Sequence, residues 1–129
     1  MQIIGVGLDA TEIERVAQMI DRYGDRFLRR VYTAGEIEYC HARRDFASSF
    51  AARFAAKEAA MKALGTGHSR GVFWNGIEVV RRHGPPRIVF HDGAKARFES
   101  MGGTGSLLTL THSRELAIAH VILVKDGGP

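Results

Sequence analysis

From Phe46 to Leu64 the chain carries a helical pattern that is apolar on two opposite faces, and no other stretch constrains the fold as strongly. At about 100° per residue, Phe46, Phe50, Phe54, Met61 and Leu64 fall on one side. Ala52, Ala56, Ala59, Ala60 and Ala63 fall roughly opposite. A helix apolar on both sides belongs between other elements, and its alanine face admits close neighbours. Yet the same stretch holds Arg53, Lys57, Glu58 and Lys62. Lys57 projects into the phenylalanine stripe, while Glu58 and Lys62, four residues apart, share the seam between the two faces. Charges are almost never fully buried without partners. On a solvated edge such a pair would add only a few tenths of a kcal/mol, and this helix has little room for a wet edge. The pattern predicts a buried Glu58–Lys62 pair with a chemical role.

The flanking sequence supplies what the helix packs against. Gln2 to Leu8 reads as a strand, broken by Gly5 and Gly7 and ending at Asp9. Thr11 is placed to cap a helix in which Ile13, Val16, Ala17 and Ile20 recur before a stop at Gly24. Asp25 to Val31 and Glu36 to Arg43 read as short helices. After Gly65, Val72 to Arg82 and Arg87 to His91 read as strands joined through Gly84-Pro85-Pro86, and Asp92 caps a helix to about Met101. Ser106 to His112 and Ala117 to Lys125 form a hairpin around Arg114-Glu115. The order β-α-α-α-β-β-α-β-β predicts an α+β fold over residues 1–129, with a largely antiparallel sheet packed on the long buried helix. Consecutive βαβ units are missing, which argues against a Rossmann fold.

Charge points to an anionic partner. Of eighteen basic residues fourteen are arginine, against fourteen acidic residues, for a formal charge of +4. Arginine recognises phosphate and carboxylate with two parallel hydrogen bonds where lysine offers a point charge. Asp9 at a strand end, Glu58 on the helix and a nearby Lys62 form a recipe for Mg²⁺-assisted phosphate chemistry. Mg²⁺ takes one or two protein carboxylates and completes its shell with water and substrate phosphates, while a lysine neutralises the transferring phosphate. A basic nucleic-acid-binding domain and a small Mg²⁺-dependent nucleotide hydrolase fit parts of the same pattern. The aromatic residues lie in a helical core stripe, however, and give no base-stacking platform.

Other signals are weaker. Gly65-Thr66-Gly67 follows a helix C-terminus, the negative end of the dipole, and reads as a helix-ending turn whose amides could still meet a ligand. The six histidines lack zinc spacing. His112 shares strand parity with Leu108 and Leu110 and is expected to face the core, although its strand-end position beside Ser113 leaves a site role open. On the helix after Thr11, the wheel sends Arg15 and Arg22 outward, with Arg26 just beyond Gly24. No apolar run approaches a membrane span, and no signal peptide is visible. Cys40, the single cysteine, suits a reducing cytoplasm.

These residues converge on a family. Ile4-Gly5-Val6-Gly7-Leu8-Asp9 with Glu12-Ile13-Glu14-Arg15 resembles the opening of the holo-acyl-carrier-protein synthases. The run Phe54-Ala55-Ala56-Lys57-Glu58-Ala59-Ala60-Met61-Lys62-Ala63-Leu64-Gly65-Thr66-Gly67 resembles their most diagnostic motif. Ile77-Glu78-Val79, Pro86, Gly93-Ala94 and Leu110-Thr111-His112-Ser113 match weaker positions; Asn75-Gly76 departs from an acidic residue common there. The resemblance implies Mg²⁺-dependent transfer of 4′-phosphopantetheine from coenzyme A to a serine of apo-acyl carrier protein, releasing adenosine 3′,5′-bisphosphate. By matching position, Asp9 and Glu58 would hold the metal, and Glu58, or a water it orients, would take the serine proton. Lys62, Gly65 and Thr66 would meet coenzyme A, with Pro86, His112 and Ser113 reaching it from a neighbouring chain of a homotrimer. Arg15, Arg22 and Arg26 would face the acidic carrier. The doubly apolar helix supplies an independent motive for assembly, since it would leave apolar surface seeking cover.

Overall fold

A computed structural model describes residues 1–127. The elements run β1 (Gln2–Glu12), α1 (Ile13–Tyr23), α2 (Asp25–Val31), α3 (Ala34–His41), α4 (Phe46–Leu64), β2 (Ile77–Val80), β3 (Arg87–Phe90), α5 (Asp92–Ser100), β4 (Gly105–His112) and β5 (Leu116–Lys125). A single 3₁₀ turn, Trp74–Gly76, precedes β2. The predicted element order holds and every strand pairing is antiparallel, but the strands divide into two sheets, β1-β5-β4 and β2-β3. Among the described residues no helix is long and apolar enough to cross a membrane.

The long helix lies between layers as its two apolar faces require. Its alanine side packs on the three-stranded sheet, where Ala119, Val121 and Leu123 of β5 complete one core. On the other side Phe50 and Ala51 join Val16, Leu28, Val31 and Tyr32 of α1, α2 and the turn after it. The approach of β1 is set by its two glycines. A Cβ on Gly5 would stand 2.2 Å from the Ala63 carbonyl oxygen, and one on Gly7 would stand 1.8 Å from that of Ala59. No side chain fits there, so strand backbone lies directly on helix backbone and carries Asp9, two residues on, to the same helix.

The charge buried in α4 differs from expectation. Lys57 is fully buried and bonds Glu36 Oε1 at 2.7 Å, the Trp74 carbonyl at 3.0 Å and the Ile77 carbonyl. Glu36 is equally buried; it also accepts from the backbone N–H of Thr33, closing a capping box at the start of α3, and from that of Val79. Burial pushes the Lys57 ammonium below the usual lysine range, and the neighbouring Glu36 carboxylate opposes that shift. With all three ammonium hydrogens and both carboxylate oxygens engaged, the pair ties α3, α4, the 3₁₀ turn and β2 together. Removing one partner of such a pair typically costs about 3–5 kcal/mol.

Several local expectations are corrected. Thr11 does not cap α1, because β1 runs on to Glu12, whose side chain makes no cap. The first β2 residues become a 3₁₀ turn, in which Gly76 is buried and its carbonyl accepts from His91 N–H at 2.8 Å. Asp92 opens α5 at φ +50° without capping it. His112 is exposed rather than core-facing, at the last residue of β4, where it still pairs with Ala117 of β5. On α4 only Phe46, in its first turn, is an exposed large apolar residue, and the broad uncovered apolar surface lies elsewhere. It is the outer face of the three-stranded sheet, where Val6, Leu8 and Leu107 are each more than half exposed. In register, Leu8, His120 and Thr109 form one row across that face, and Val6, Ile122 and Leu107 the next.

Candidate functional site

The end of β1 and the middle of α4 share a cleft of about 420 Å³ whose lining includes Asp9, Arg15, Met19, Phe54, Glu58 and Trp74. Asp9 is oriented on both oxygens. Thr11 Oγ1 donates to Oδ2 at 2.8 Å, and Lys62 Nζ reaches Oδ1 at 3.2 Å while also donating to the Leu8 carbonyl at 2.9 Å. Lys62 therefore pairs with Asp9, not with Glu58. Its side chain is 57% exposed, which corrects the expected buried Glu58–Lys62 pair: the helix seam opens to solvent at the sheet end. The Lys62 ammonium is held on one side by Asp9 and the Leu8 carbonyl and is otherwise open to solvent, so it keeps a hydrogen to offer a ligand phosphate.

Glu58 is half-buried and held from the other side. Trp74 Nε1 donates to its Oε2 at 3.1 Å, and His68 Nε2 contacts the same oxygen at 3.2 Å. Gly65, at φ +74°, ends α4 in the left-handed region, as a helix-closing glycine does. The turn that follows, fastened by Ser69 Oγ on the Thr66 carbonyl, curls His68 back over Trp74 with ring centroids 4.0 Å apart. Gly65 and Thr66 thus border the Lys62 end of α4, as expected for that turn. Sequence reading missed Trp74 and His68. The one available signal was the single tryptophan in a loop, and nothing in the spacing tied it to Glu58.

The donor set fits Mg²⁺. Asp9 and Glu58 are hard oxygen ligands from two elements on one open cleft, which leaves positions for water and for a phosphate. Among the described residues no group of three or more His, Cys, Asp or Glu side chains is gathered to hold a metal. Two carboxylates are what a phosphate-bridged Mg²⁺ site requires of its protein.

A second concavity of about 300 Å³ adjoins the first through Met19, Phe27 and Trp74, and Arg26 and Arg30 stand on its rim. Arg15 borders the carboxylate cleft itself, and both Arg15 and Arg26 are exposed. Arg22 is exposed too but lies over the Tyr23 ring, 5.3 Å from its centroid, and lines neither hollow.

His112 lies elsewhere, in a cleft of about 560 Å³ with Arg43, Arg44, Arg53 and Arg81. Arg53 forms its floor, stacked 4.2 Å over the Tyr39 ring and bonded to Ser49. Its buried Nε finds no partner among the described residues. An unpaired guanidinium donor under three further arginines is suited to an anion. The sequence singles out Arg53 as a charge in the apolar helix but leaves the other arginines to the net charge, although the Arg43-Arg44 and Arg81-Arg82 doublets are visible. None of the lining residues of this cleft lines the carboxylate cleft. Ser113 closes the β4–β5 turn through its own hydroxyl, and Pro86 sits in the β2–β3 connection. One chain therefore brings Asp9, Glu58, Lys62, Gly65 and Thr66 together, and leaves His112, Ser113 and Pro86 apart from them.

Comparison with known proteins gives the family of the chain and its fold. The profile of the 4′-phosphopantetheinyl transferase superfamily fits residues 5–119. A holo-[acyl-carrier-protein] synthase of Koribacter versatilis is 49% identical over 122 residues, covering 94% of this chain and 98% of the relative. Among solved structures, the holo-[acyl-carrier-protein] synthase of Neisseria meningitidis superposes with a TM-score of 0.88 at 26% identity, over 96% of this chain and all of that one. That of Helicobacter pylori, solved in complex with coenzyme A, superposes with a TM-score of 0.81 at 27% identity, over 92% of this chain and 99% of that one.

Proposed function

The chain belongs to the 4′-phosphopantetheinyl transferase superfamily and transfers phosphopantetheine from coenzyme A to apo-acyl carrier protein, and we propose that Asp9, Glu58 and Lys62 carry out the step in the cleft between β1 and α4. The observation that carries this assignment is the convergence of two carboxylates on one open cleft, one of them bonded to Lys62, with an adjoining hollow bordered by arginine.

Asp9 and Glu58 would hold Mg²⁺, which when bound supplies charge neutralisation on the diphosphate of coenzyme A. Lys62, exposed at its head, swings from Asp9 to the phosphate and offsets the charge that develops as the phosphoanhydride bond breaks. Glu58, directly or through a water it orients, takes the proton of the carrier serine as its oxygen attacks phosphorus. The products are the phosphopantetheinylated serine and adenosine 3′,5′-bisphosphate. Gly65 and Thr66, whose amides close α4 on the Lys62 and Met61 carbonyls, would border the coenzyme beside Lys62.

The remaining coenzyme contacts come from a neighbouring copy in our reading. The arginine cleft with His112, together with Ser113 and Pro86, suits the phosphates of coenzyme A but is separated from the carboxylates within one chain. A homotrimer that apposes the two clefts accounts for both halves, and the apolar outer face of the sheet gives the copies a surface to share. The number three follows the family. Arg15 and Arg26, with Arg22 beside them, form the basic side that an acidic carrier would meet, an encounter that weakens with added salt. The buried free thiol of Cys40 fits a cytoplasmic enzyme.

The direct test is incubation with coenzyme A, Mg²⁺ and apo-carrier protein, followed by mass spectrometry. The expected result is addition of the phosphopantetheine arm to the carrier; no mass gain across several bacterial carriers would overturn the assignment.

A further inference from the structure

Lys57 and Glu58 are neighbours in α4, point in different directions, and bind the same residue. Lys57 Nζ donates to the Trp74 carbonyl at 3.0 Å, and the Trp74 indole donates to Glu58 Oε2 at 3.1 Å. The buried end of this chain is rigid, because Lys57 is fixed by Glu36 in a fully enclosed ion pair and by the Ile77 carbonyl. The Trp74 ring is held by Phe54 on one side, with centroids 6.0 Å apart, and by His68 on the other. His68 Nε2 then reaches the same Oε2 at 3.2 Å. An ionised carboxylate only accepts, so Nε2 carries the hydrogen in this contact. Both donors fall on one oxygen and neither on Oε1.

From this geometry we infer that Trp74 is a positioning residue for Glu58: anchored through its backbone by Lys57, it fixes one carboxylate oxygen with its indole N–H, aided by His68, so that Oε1 is presented to the cation beside Asp9. The inference rests on the assignment of Asp9 and Glu58 as the Mg²⁺ carboxylates. Its logic is that of outer-shell hydrogen bonds, which orient a metal-binding group and keep the free ligand in its bound geometry. A glutamate has three rotatable side-chain bonds, and on an exposed helix edge it would sample many positions that face no cation. Phe54 and Trp74 also line the carboxylate cleft, so the group that orients Glu58 is part of the wall that a carrier would approach.

The chain has a single tryptophan, and the ¹⁵N-labelled protein therefore gives one indole N–H resonance. Mg²⁺ is titrated into the full chain with coenzyme A present. The resonance is expected to shift saturably in wild type, to sit elsewhere in Glu58→Gln, and to lose its Mg²⁺ dependence in that variant. Trp74→Phe keeps the ring and loses the N–H. It should raise the Mg²⁺ concentration for half-maximal rate by about tenfold, while KM for the carrier changes less than about twofold and the melting curve stays cooperative. Should Trp74→Phe fail to fold, the resonance in wild type and Glu58→Gln still decides. An indole signal that ignores both Mg²⁺ and Glu58→Gln overturns the positioning role. So does a folded Trp74→Phe with the wild-type Mg²⁺ requirement. Failure of the underlying reading looks different: Asp9→Asn would then also leave the Mg²⁺ requirement unchanged.

Discussion

Asp9 and Glu58 differ in what surrounds them, and the difference sets what each substitution should do. Asp9 has one oxygen on a threonine and the other on Lys62, whereas Glu58 has both its donors on a single oxygen. Asp9→Asn and Glu58→Gln preserve size and leave the backbone undisturbed, but remove charges that a divalent cation needs. Each should lower the transfer rate by on the order of a hundredfold or more, equivalent to several kcal/mol of transition-state stabilisation, with melting temperatures near wild type. Steady-state rates at limiting and saturating Mg²⁺ would check this, and a near-normal rate at limiting Mg²⁺ would remove the residue from the metal site. Some residues of the candidate site stood out in the sequence, and the fold brings Asp9 and Glu58 to one cleft with Lys62 bonded to Asp9. Asp9, Glu58 and Lys62 could be picked out because a charge on a strand end or in an apolar helix demands a reason. Lys57 raised the same question, but its answer, Glu36, lies twenty-one positions away in a short helix with no periodic signal. Spacing cannot pair residues that only the tertiary fold brings together.

At the scale of elements, the contact between β1 and α4 is a backbone-on-backbone seam. Gly7→Ala would drive a methyl group to 1.8 Å from the Ala59 carbonyl oxygen, so strand or helix must move. A cost of about 3 kcal/mol is expected, toward the upper end for overpacking, and the shift would also separate Asp9 from Lys62. Urea unfolding measures the first effect and rate assays the second. A Gly7→Ala protein of wild-type stability and rate would contradict the seam. The other end of α4 is set by its cap. Asp45 accepts from the Ser48 hydroxyl at 2.6 Å and from the Ser48 backbone N–H at 3.2 Å, and these bonds hold its carboxyl below the usual aspartate range. Its contribution is therefore complete above the ordinary value near pH 4 and is lost as pH falls through the lowered folded value. Asp45→Ala should cost about 1 kcal/mol at neutral pH, and the difference from wild type should shrink toward pH 3 when the two proteins are unfolded in urea. The bounds of α2 and α4 were readable because periodic apolar residues and clear stops agree there. The start of β2 was not: Val72 to Gly76 reads as strand by residue type, yet the Lys57 bond to the Trp74 carbonyl winds it into a turn.

For the whole molecule, the revealing feature is the outer sheet face, apolar across three strands with His120 in its middle row. Leu8→Glu places a charge on that face, about 60% exposed in the single chain, without touching either core. On the proposed assembly through this face, it should leave only monomer in sedimentation equilibrium and abolish transfer while the chain stays folded. A trimeric, active Leu8→Glu protein would place the interface elsewhere. The sequence motivated assembly for a different reason, the doubly apolar α4. The fold answered that demand internally by sandwiching the helix, and the exposed surface came instead from Val6 and Leu8 of β1 and Leu107 of β4, whose outward direction follows from the packing of the opposite face on α4. The separation of carboxylates from arginines carries a genetic meaning as well. In the proposed homotrimer, a chain with Glu58→Gln and a chain stripped of its arginine cleft would each be inactive alone, because every site would lack one half. Expressed together and assembled at random, they would leave about a quarter of the sites with an intact half from each neighbour. Two null alleles would then complement, and neither defective chain would fully silence a healthy partner.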